Sequence, residues 1–238
     1  MDIKIFADCA DPAQFKQLLS DPRVAGFTTN PSLAREAGVR DYLEFARRAL
    51  DAAAGRPVSV EVLPDDFGEM QEQASVLASL GRQLFVKIPV TDSRGRSSAP
   101  LIEALAEDGV SLNITAVCTI EQVAEVGWAL RGAVGFPIVS VFAGRIADAG
   151  VDPLLHVLEC RQVLRAVCPT AQLLWASARQ VFDVVLAECA GCEIITLPPA
   201  LIGKLSLRGK DLAEYSRETV AQFARDSALA GFKLERES

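Results

Sequence analysis

Histidine is almost missing from this chain: His156 is the only one in 238 residues. A Ser-His-Asp or Cys-His mechanism therefore has one imidazole to draw on, and it lies in a helix-like segment, which argues against both. Basic residues are outnumbered, 24 Lys and Arg against 31 Asp and Glu, for a formal net charge of -7 and a pI near 4.9. That balance disfavours nucleic acid or an anionic membrane as the main partner. No apolar run approaches the ~20 residues that cross a bilayer. The first residues, Met1-Asp2-Ile3-Lys4-Ile5-Phe6, lack the charged, apolar and cleavage regions of a signal peptide. The expectation is a cytoplasmic protein with no membrane contact. No Pro/Gly/Ser-rich linker, internal repeat or low-complexity stretch interrupts the chain. No Gly-x-Gly-x-x-Gly follows the first apolar run, which weighs against dinucleotide binding.

Cysteine is present but unclustered. Cys9, Cys118, Cys160, Cys168, Cys189 and Cys192 are scattered through apolar segments, unlike a secreted disulfide framework. Cys189 and Cys192 have Cys-x-x-Cys spacing but no second pair, so no metal site is expected. The plain reading is small apolar residues in a reducing compartment.

Half of the residues are hydrophobic, enough for a sizeable core. Short apolar runs alternate with longer amphipathic ones throughout. Strand candidates fall at 3–7, 26–29, 58–63, 84–89, 111–116, 138–141, 173–176 and 193–197. Helix candidates fall at 12–20, 41–54, 67–80, 101–107, 120–130, 153–167, 180–190 and 212–229. Strand then helix, repeated along the chain, predicts a parallel sheet. At this length the pattern favours a single-domain α/β fold over 1–238, a closed (β/α)8 TIM barrel, with an open doubly wound sheet as the alternative. The charged tail at 232–238 is expected to fray.

Lys87 stands out because it interrupts Leu84-Phe85-Val86-Lys87-Ile88-Pro89-Val90, an otherwise apolar strand. Burying an ammonium is costly and disfavours the charged form, and a neutral amine is what attacks a carbonyl. A strand-end lysine snorkelling its head to water explains the same residue. In a parallel barrel, chemistry gathers at the C-terminal ends of the strands. Those ends offer Asp8, Asn30, Glu61, Lys87, Asn113 with Thr115, Ser140 with Arg145, and Ser177 with Arg179; the last strand offers only Thr196. Each has an ordinary explanation. Asp8 could cap a helix through the Asp11-Pro12 turn, and Asn30 before Pro31 could cap a short one. Glu61 could pair with a surface lysine, Ser177 could cap a helix, and the arginines could be surface charges. All of them converging on one rim points instead to an active site. A buried amine, two carboxyls for proton transfer and two arginines with a hydroxyl suit a lysine Schiff base acting on a sugar phosphate.

These residues resemble the transaldolase family in its short form, over nearly the whole chain. The segments that carry the likeness include Phe6-Ala7-Asp8, Gly26-Phe27-Thr28-Thr29-Asn30-Pro31-Ser32, Val86-Lys87-Ile88-Pro89, Asn113-Ile114-Thr115, Ser140-Val141-Phe142-Ala143-Gly144-Arg145 and Ala176-Ser177-Ala178-Arg179. The resemblance implies that Lys87 forms the Schiff base and that Asp8 is the acid/base at the cleaved bond. It implies that Glu61 is a second acid/base, working through a water held with Thr115. Asn30, Asn113 and Ser140 would hold ketose hydroxyls, and Arg145, Ser177 and Arg179 the phosphate. The implied reaction moves a dihydroxyacetone unit from a ketose phosphate to an aldose phosphate, with no cofactor and no metal. A similar branch, the fructose 6-phosphate aldolases, releases free dihydroxyacetone. That branch typically has Gln where this chain has Glu61 and Tyr where it has Phe142, so both positions side with transfer. A non-catalytic sugar-phosphate-binding barrel is the alternative from another class. The resemblance also implies a homo-oligomer, a pentamer or decamer, with a C-terminal helix at about 210–230 in its contacts.

Some positions depart from the family. Cys9, Asp11, Val141, Ala178 and Gln180 replace usual residues, and the Gly/Ser-rich loop at 91–100 is longer than usual. The loop follows the lysine strand and so belongs to the catalytic face. The sharper reading is that its Arg94 or Arg96 reaches an acceptor phosphate; the plainer one is a solvated surface loop.

Overall fold

The computed structural model describes residues 3–232. The tail at 233–238 and the first two residues, on which parts of the sequence reading fall, lie outside that range. Eight parallel strands close into a barrel in sequential order, with β8 pairing back onto β1. They are β1 (Lys4–Asp8), β2 (Val24–Thr28), β3 (Val58–Glu61), β4 (Leu84–Pro89), β5 (Leu112–Val117), β6 (Ile138–Val141), β7 (Gln172–Trp175) and β8 (Ile194–Leu197). Among the described residues the α-helices are α1 (Pro12–Leu18), α2 (Pro31–Glu36), α3 (Tyr42–Ala52), α4 (Phe67–Ala78), α5 (Ala99–Glu107), α6 (Ile120–Ala129), α7 (Ala143–Asp148), α8 (Pro153–Val167), α9 (Phe182–Ala190), α10 (Pro199–Lys204) and α11 (Leu212–Ala230). The architecture is the (β/α)8 TIM barrel expected from the alternation. Helices α2, α7 and α10 are absent from the amphipathic pattern, although Asn30 before Pro31 marks the start of α2. Each has six residues, too few for a helical stripe to show, and each starts just after a strand end.

Strand β3 shows how the barrel sorts its side chains. Val58 and Val60 are buried, while Ser59 and Glu61, one residue out of phase, face the interior. This two-residue alternation separates an outer apolar layer from the barrel lumen. In the outer layer, Phe15 of α1 stacks on Phe27 of β2 with ring centroids 4.1 Å apart. Inside, Phe6, Ile138, Leu174, Ala176 and Ile194 form an apolar floor. Above it lies a polar layer. Ser140 donates to Asn113 Oδ1 at 2.7 Å, and Asn113 Nδ2 donates to Ser59 Oγ at 3.0 Å. Asn113 and Ser59 are fully buried, so cutting either bond would leave a dry polar group, at about 1–3 kcal/mol.

The loop before α5 is a compact turn wrapped around Asp92. The Asp92 carboxylate accepts from the Arg94 and Arg96 backbone N–H groups and pairs with the Arg96 guanidinium at 2.5 Å. Arg96 also lies over the Phe67 ring. Thr91 and Ser97 form an antiparallel bridge. Ser93 is tied to Asp65, and Ser97 to Glu125.

The chain divides into two compact units, one ending at Gly203 and the other beginning at Lys204. The second carries α11, capped by Asp211 at its start and by left-handed Gly231 at its end; none of its residues is buried. No described helix is long and apolar enough to cross a membrane.

Candidate active site

A cavity of about 760 Å³ opens at the C-terminal ends of the strands. Ten of the eleven residues singled out in the sequence line it; Asn113 does not. Asn113 sits in the polar layer below, its amide taken up by Ser59 and Ser140, and Ser140 is the member of that layer that reaches the cavity.

Lys87 is only 6% exposed, so it does not snorkel. Register pairs it with Glu61 on β3 and Asn113 on β5. Its Nζ lies 2.9 Å from Glu61 Oε2 and donates to the Thr29 carbonyl at 2.7 Å. The glutamate thus meets a buried lysine directly, not a surface one. The Glu61 backbone carbonyl in turn accepts from the Tyr42 hydroxyl at 2.8 Å, and burial first, then the charge of Glu61, pushes that phenol up.

Asp8 is not a helix cap, because Asp11 fills that role by accepting from Ala13 N–H. Its carboxyl is free to face the lumen. Burial raises its pKa above the ordinary carboxylate value, opposed by the Lys87 charge and the Thr28 hydrogen bond and aided by Glu61. Thr28 Oγ1 is 2.7 Å from Asp8 Oδ1 and 2.5 Å from Thr196 Oγ1. Three strands that meet only on barrel closure therefore support this carboxyl. Its neighbour Cys9 is a neutral thiol, pushed up to about 12 by burial and by the charges of Asp8 and Asp11.

Thr115 Oγ1 is buried, lines the cavity and has no hydrogen-bond partner among the described residues. It sits at a shift in the β5–β6 register, beside Ala116 with φ +61°. A bulge of this kind re-aims side chains at a strand end. Asn30 does cap α2, accepting from Leu33 N–H at 3.0 Å, and it also lines the cavity. With its oxygen so engaged, the amide nitrogen is the part left for a ligand.

The far wall is built by Phe142, Arg145, Ser177 and Arg179. The Arg145 guanidinium lies 5.7 Å from the Phe142 ring centroid. Ser177 does not cap a helix; it has φ +64°, unusual outside glycine. Gly144 packs against it so closely that a Cβ would fall 1.7 Å from the Ser177 carbonyl oxygen, so this position admits only glycine. Arg179 pairs with Asp148 at 2.7 Å on the rim, where both side chains are more than half exposed.

No residue of the 91–100 loop lines the cavity. Arg96 is held on its own loop, so the idea that it reaches a bound phosphate finds no support in this geometry. Among the described residues no group of three His, Cys, Asp or Glu is arranged to hold a metal ion.

The sequence places Thr28 and Thr196 at strand ends without giving them a role, and it leaves out Ser59 and Tyr42 as supporting groups. The first three carry a signal, being polar residues in phase with the inward face of their strands. Tyr42 carries none, because nothing in α3 reveals that its hydroxyl reaches β3.

The transaldolase/fructose-6-phosphate aldolase family model matches residues 5–234. A protein named "probable transaldolase" from Brucella anthropi is 30% identical over 232 residues, 98% of this chain and all of that one. One of the same name from Chelativorans sp. is 32% identical over 85% of this chain and 88% of its own. Among solved structures, a dihydrodipicolinate synthase from Rhodopseudomonas palustris superposes with a TM-score of 0.60 at 14% identity, over 96% of this chain and 80% of that one. An N-acetylneuraminate lyase from Mycoplasma synoviae gives 0.58 at 13% identity, over 96% and 81%. At such identities these two speak for the barrel alone.

Proposed function

The chain belongs to the transaldolase/fructose-6-phosphate aldolase family, and from that premise we propose that it is a transaldolase working through a Schiff base on Lys87. The observation that carries the reading is the buried Lys87 amine held against Glu61 in a cavity that Asp8 also lines. Glu61, at 2.9 Å, takes a proton from Nζ as the amine adds to the ketose carbonyl. The carbinolamine then loses water to give the imine, with Glu61 returning the proton to the departing hydroxyl. The imine accepts the electron pair of the neighbouring carbon–carbon bond as that bond breaks. Asp8 takes the proton of the hydroxyl that becomes the departing aldehyde. Its raised proton affinity suits a base in a dry site. The enamine left on Lys87 adds to an incoming aldose phosphate, Asp8 returns the proton, and hydrolysis frees the new ketose.

Thr115, whose buried hydroxyl has no partner among the described residues, holds the water of imine formation and hydrolysis. Asn30 and Ser140 hold ketose hydroxyls, with Asn113 orienting Ser140 from below. Arg145, Ser177 and Arg179 take the phosphate. Phe142 presents a ring with no hydroxyl to hold a hydrolytic water, which supports transfer over release of free dihydroxyacetone. The enzyme works in the cytoplasm as a homo-oligomer, a pentamer or decamer, with contacts through α11. That helix buries none of its residues and exposes Leu212, Val220 and Phe223 along one stripe.

The test is incubation with fructose 6-phosphate and borohydride, with and without an aldose phosphate. A reduced adduct on Lys87 and turnover only with acceptor are expected. Efficient release of dihydroxyacetone without acceptor would make the chain an aldolase, and no adduct would make it a binding barrel.

A further inference from the structure

Asp183 is a buried carboxylate that the mechanism does not use. It lies in the first turn of α9, and its side chain reaches back toward the end of β7. Asp183 Oδ2 accepts from the Arg179 backbone N–H at 2.6 Å and from the Gln180 N–H at 3.2 Å. The Arg179 guanidinium turns the other way, to Asp148. Asp183 thus grips the main chain of Arg179 and not its charge, which stays on the rim with Asp148.

The same segment is gripped from its other side. Gly144 of α7 sits against the Ser177 carbonyl, and its N–H points to the Ala176 carbonyl at 3.4 Å. Between these two holds Ser177 keeps φ +64°. A residue stays in that region only where its surroundings over-determine it. Ser177, Ala178 and Arg179 all line the cavity, so the clamped stretch is the cavity wall itself.

We propose that Asp183 is a positioning residue for phosphate recognition: by docking the Arg179 and Gln180 N–H groups it holds the Ser177–Arg179 turn, and with it the Arg179 guanidinium, in place for a phosphorylated sugar. The inference rests on the transaldolase reading of the cavity and adds to it a residue that never touches substrate. It also predicts what matters about the side chain. The docking needs an acceptor oxygen at that place. It does not need the negative charge, which lies under an anion site and works against it.

The experiment compares full-length Asp183→Ala and Asp183→Asn with the wild type, using a ketose phosphate and its unphosphorylated ketose as donors. Borohydride trapping with free dihydroxyacetone reports whether the Lys87 end is intact. Losing a pair of hydrogen bonds to a charged group predicts that Asp183→Ala raises KM for the phosphorylated donor by about ten- to a hundredfold. Its kcat, its trapping and its handling of the unphosphorylated donor stay near wild type. Asp183→Asn retains the acceptor oxygen and restores a low KM. Should Asp183→Ala not fold, Asp183→Glu displaces the carboxylate by one methylene and gives the same KM split. Unchanged KM, equal losses on both donors, or an Asn variant as poor as the Ala one overturns the proposal. A wild type that is never trapped overturns the transaldolase reading and this inference with it, whereas a trapped wild type beside an unaffected variant overturns this inference alone.

Discussion

The lysine end of the cavity and its arginine end are built from different material. Lys87, Glu61 and Asp8 rise from strands, inside the barrel, and are held by groups at other strand ends: Thr29 for the lysine, and Thr28, itself backed by Thr196, for Asp8. Arg145, Ser177 and Arg179 come from the segments that follow strands, and Arg179 is more than half exposed. The first region keeps its charges dry, where an unpaired one is costly and a paired one has its geometry fixed. The second leaves its cation at the rim, where water screens it and a phosphate can replace a weak partner. Under the proposed function, bond-making falls to the strands and recognition to the loops they support, the division of labour that lets one barrel serve many substrates.

Four experiments sharpen that contrast, beginning where the effect is greatest. Lys87→Ala removes the proposed nucleophile, so activity and borohydride trapping should both vanish while circular dichroism stays that of the wild type. An adduct on another lysine, such as Lys204, would show that the strand lysine is not the reactive one.

Next come the two carboxyls. Asp8→Asn should block bond cleavage yet still permit some trapping, whereas Glu61→Gln should slow imine formation itself; each loss should be roughly 10²–10⁴-fold. Stopped-flow measurement of the two steps separates them, and two variants with near-normal turnover would refute the assignment.

The raised pKa of Asp8 adds a pH signature. Native Asp8 holds its proton more tightly than the unfolded chain does, so its contribution to stability is fully present below the ordinary carboxylate pKa and is lost as pH rises through the native value. Asp8→Asn should therefore raise Tm at pH 7 and not at pH 3. Catalysis runs the opposite way. Cleavage needs the ionised form, so the acid limb of the rate profile should fall above the ordinary carboxylate range. A limb at or below pH 3.8 would contradict the buried environment.

The smallest effect belongs to the rim. Asp148→Ala frees Arg179 from an exposed pair, whose coupling is worth about 0–1 kcal/mol. KM for phosphorylated substrate should fall by no more than a few-fold, and high salt should erase the difference. A large rise in KM would mean that Asp148 aims the arginine and does not merely compete for it.

Much of this molecule is legible in its sequence. The two-residue alternation of Val58-Ser59-Val60-Glu61 states which side chains face inward, and the longer amphipathic runs state where helices cover the sheet. A lysine in an apolar strand, with acids and hydroxyls at other strand ends, marks the rim where the cavity opens. These features are local, fixed by periodicity and by the cost of burying charge, so they survive without coordinates. The tertiary structure alone decided the partners. It put Glu61 on Lys87 itself, gave Asp11 and not Asp8 the helix cap, sank Asn113 between two serines, folded the long loop around Asp92 and turned Asp183 back onto Arg179. The physical reason is closure. Periodicity tells which face of a strand a side chain occupies, but register and closure decide what stands opposite, and Thr196 reaches Thr28 across 168 residues of chain only when β8 pairs with β1.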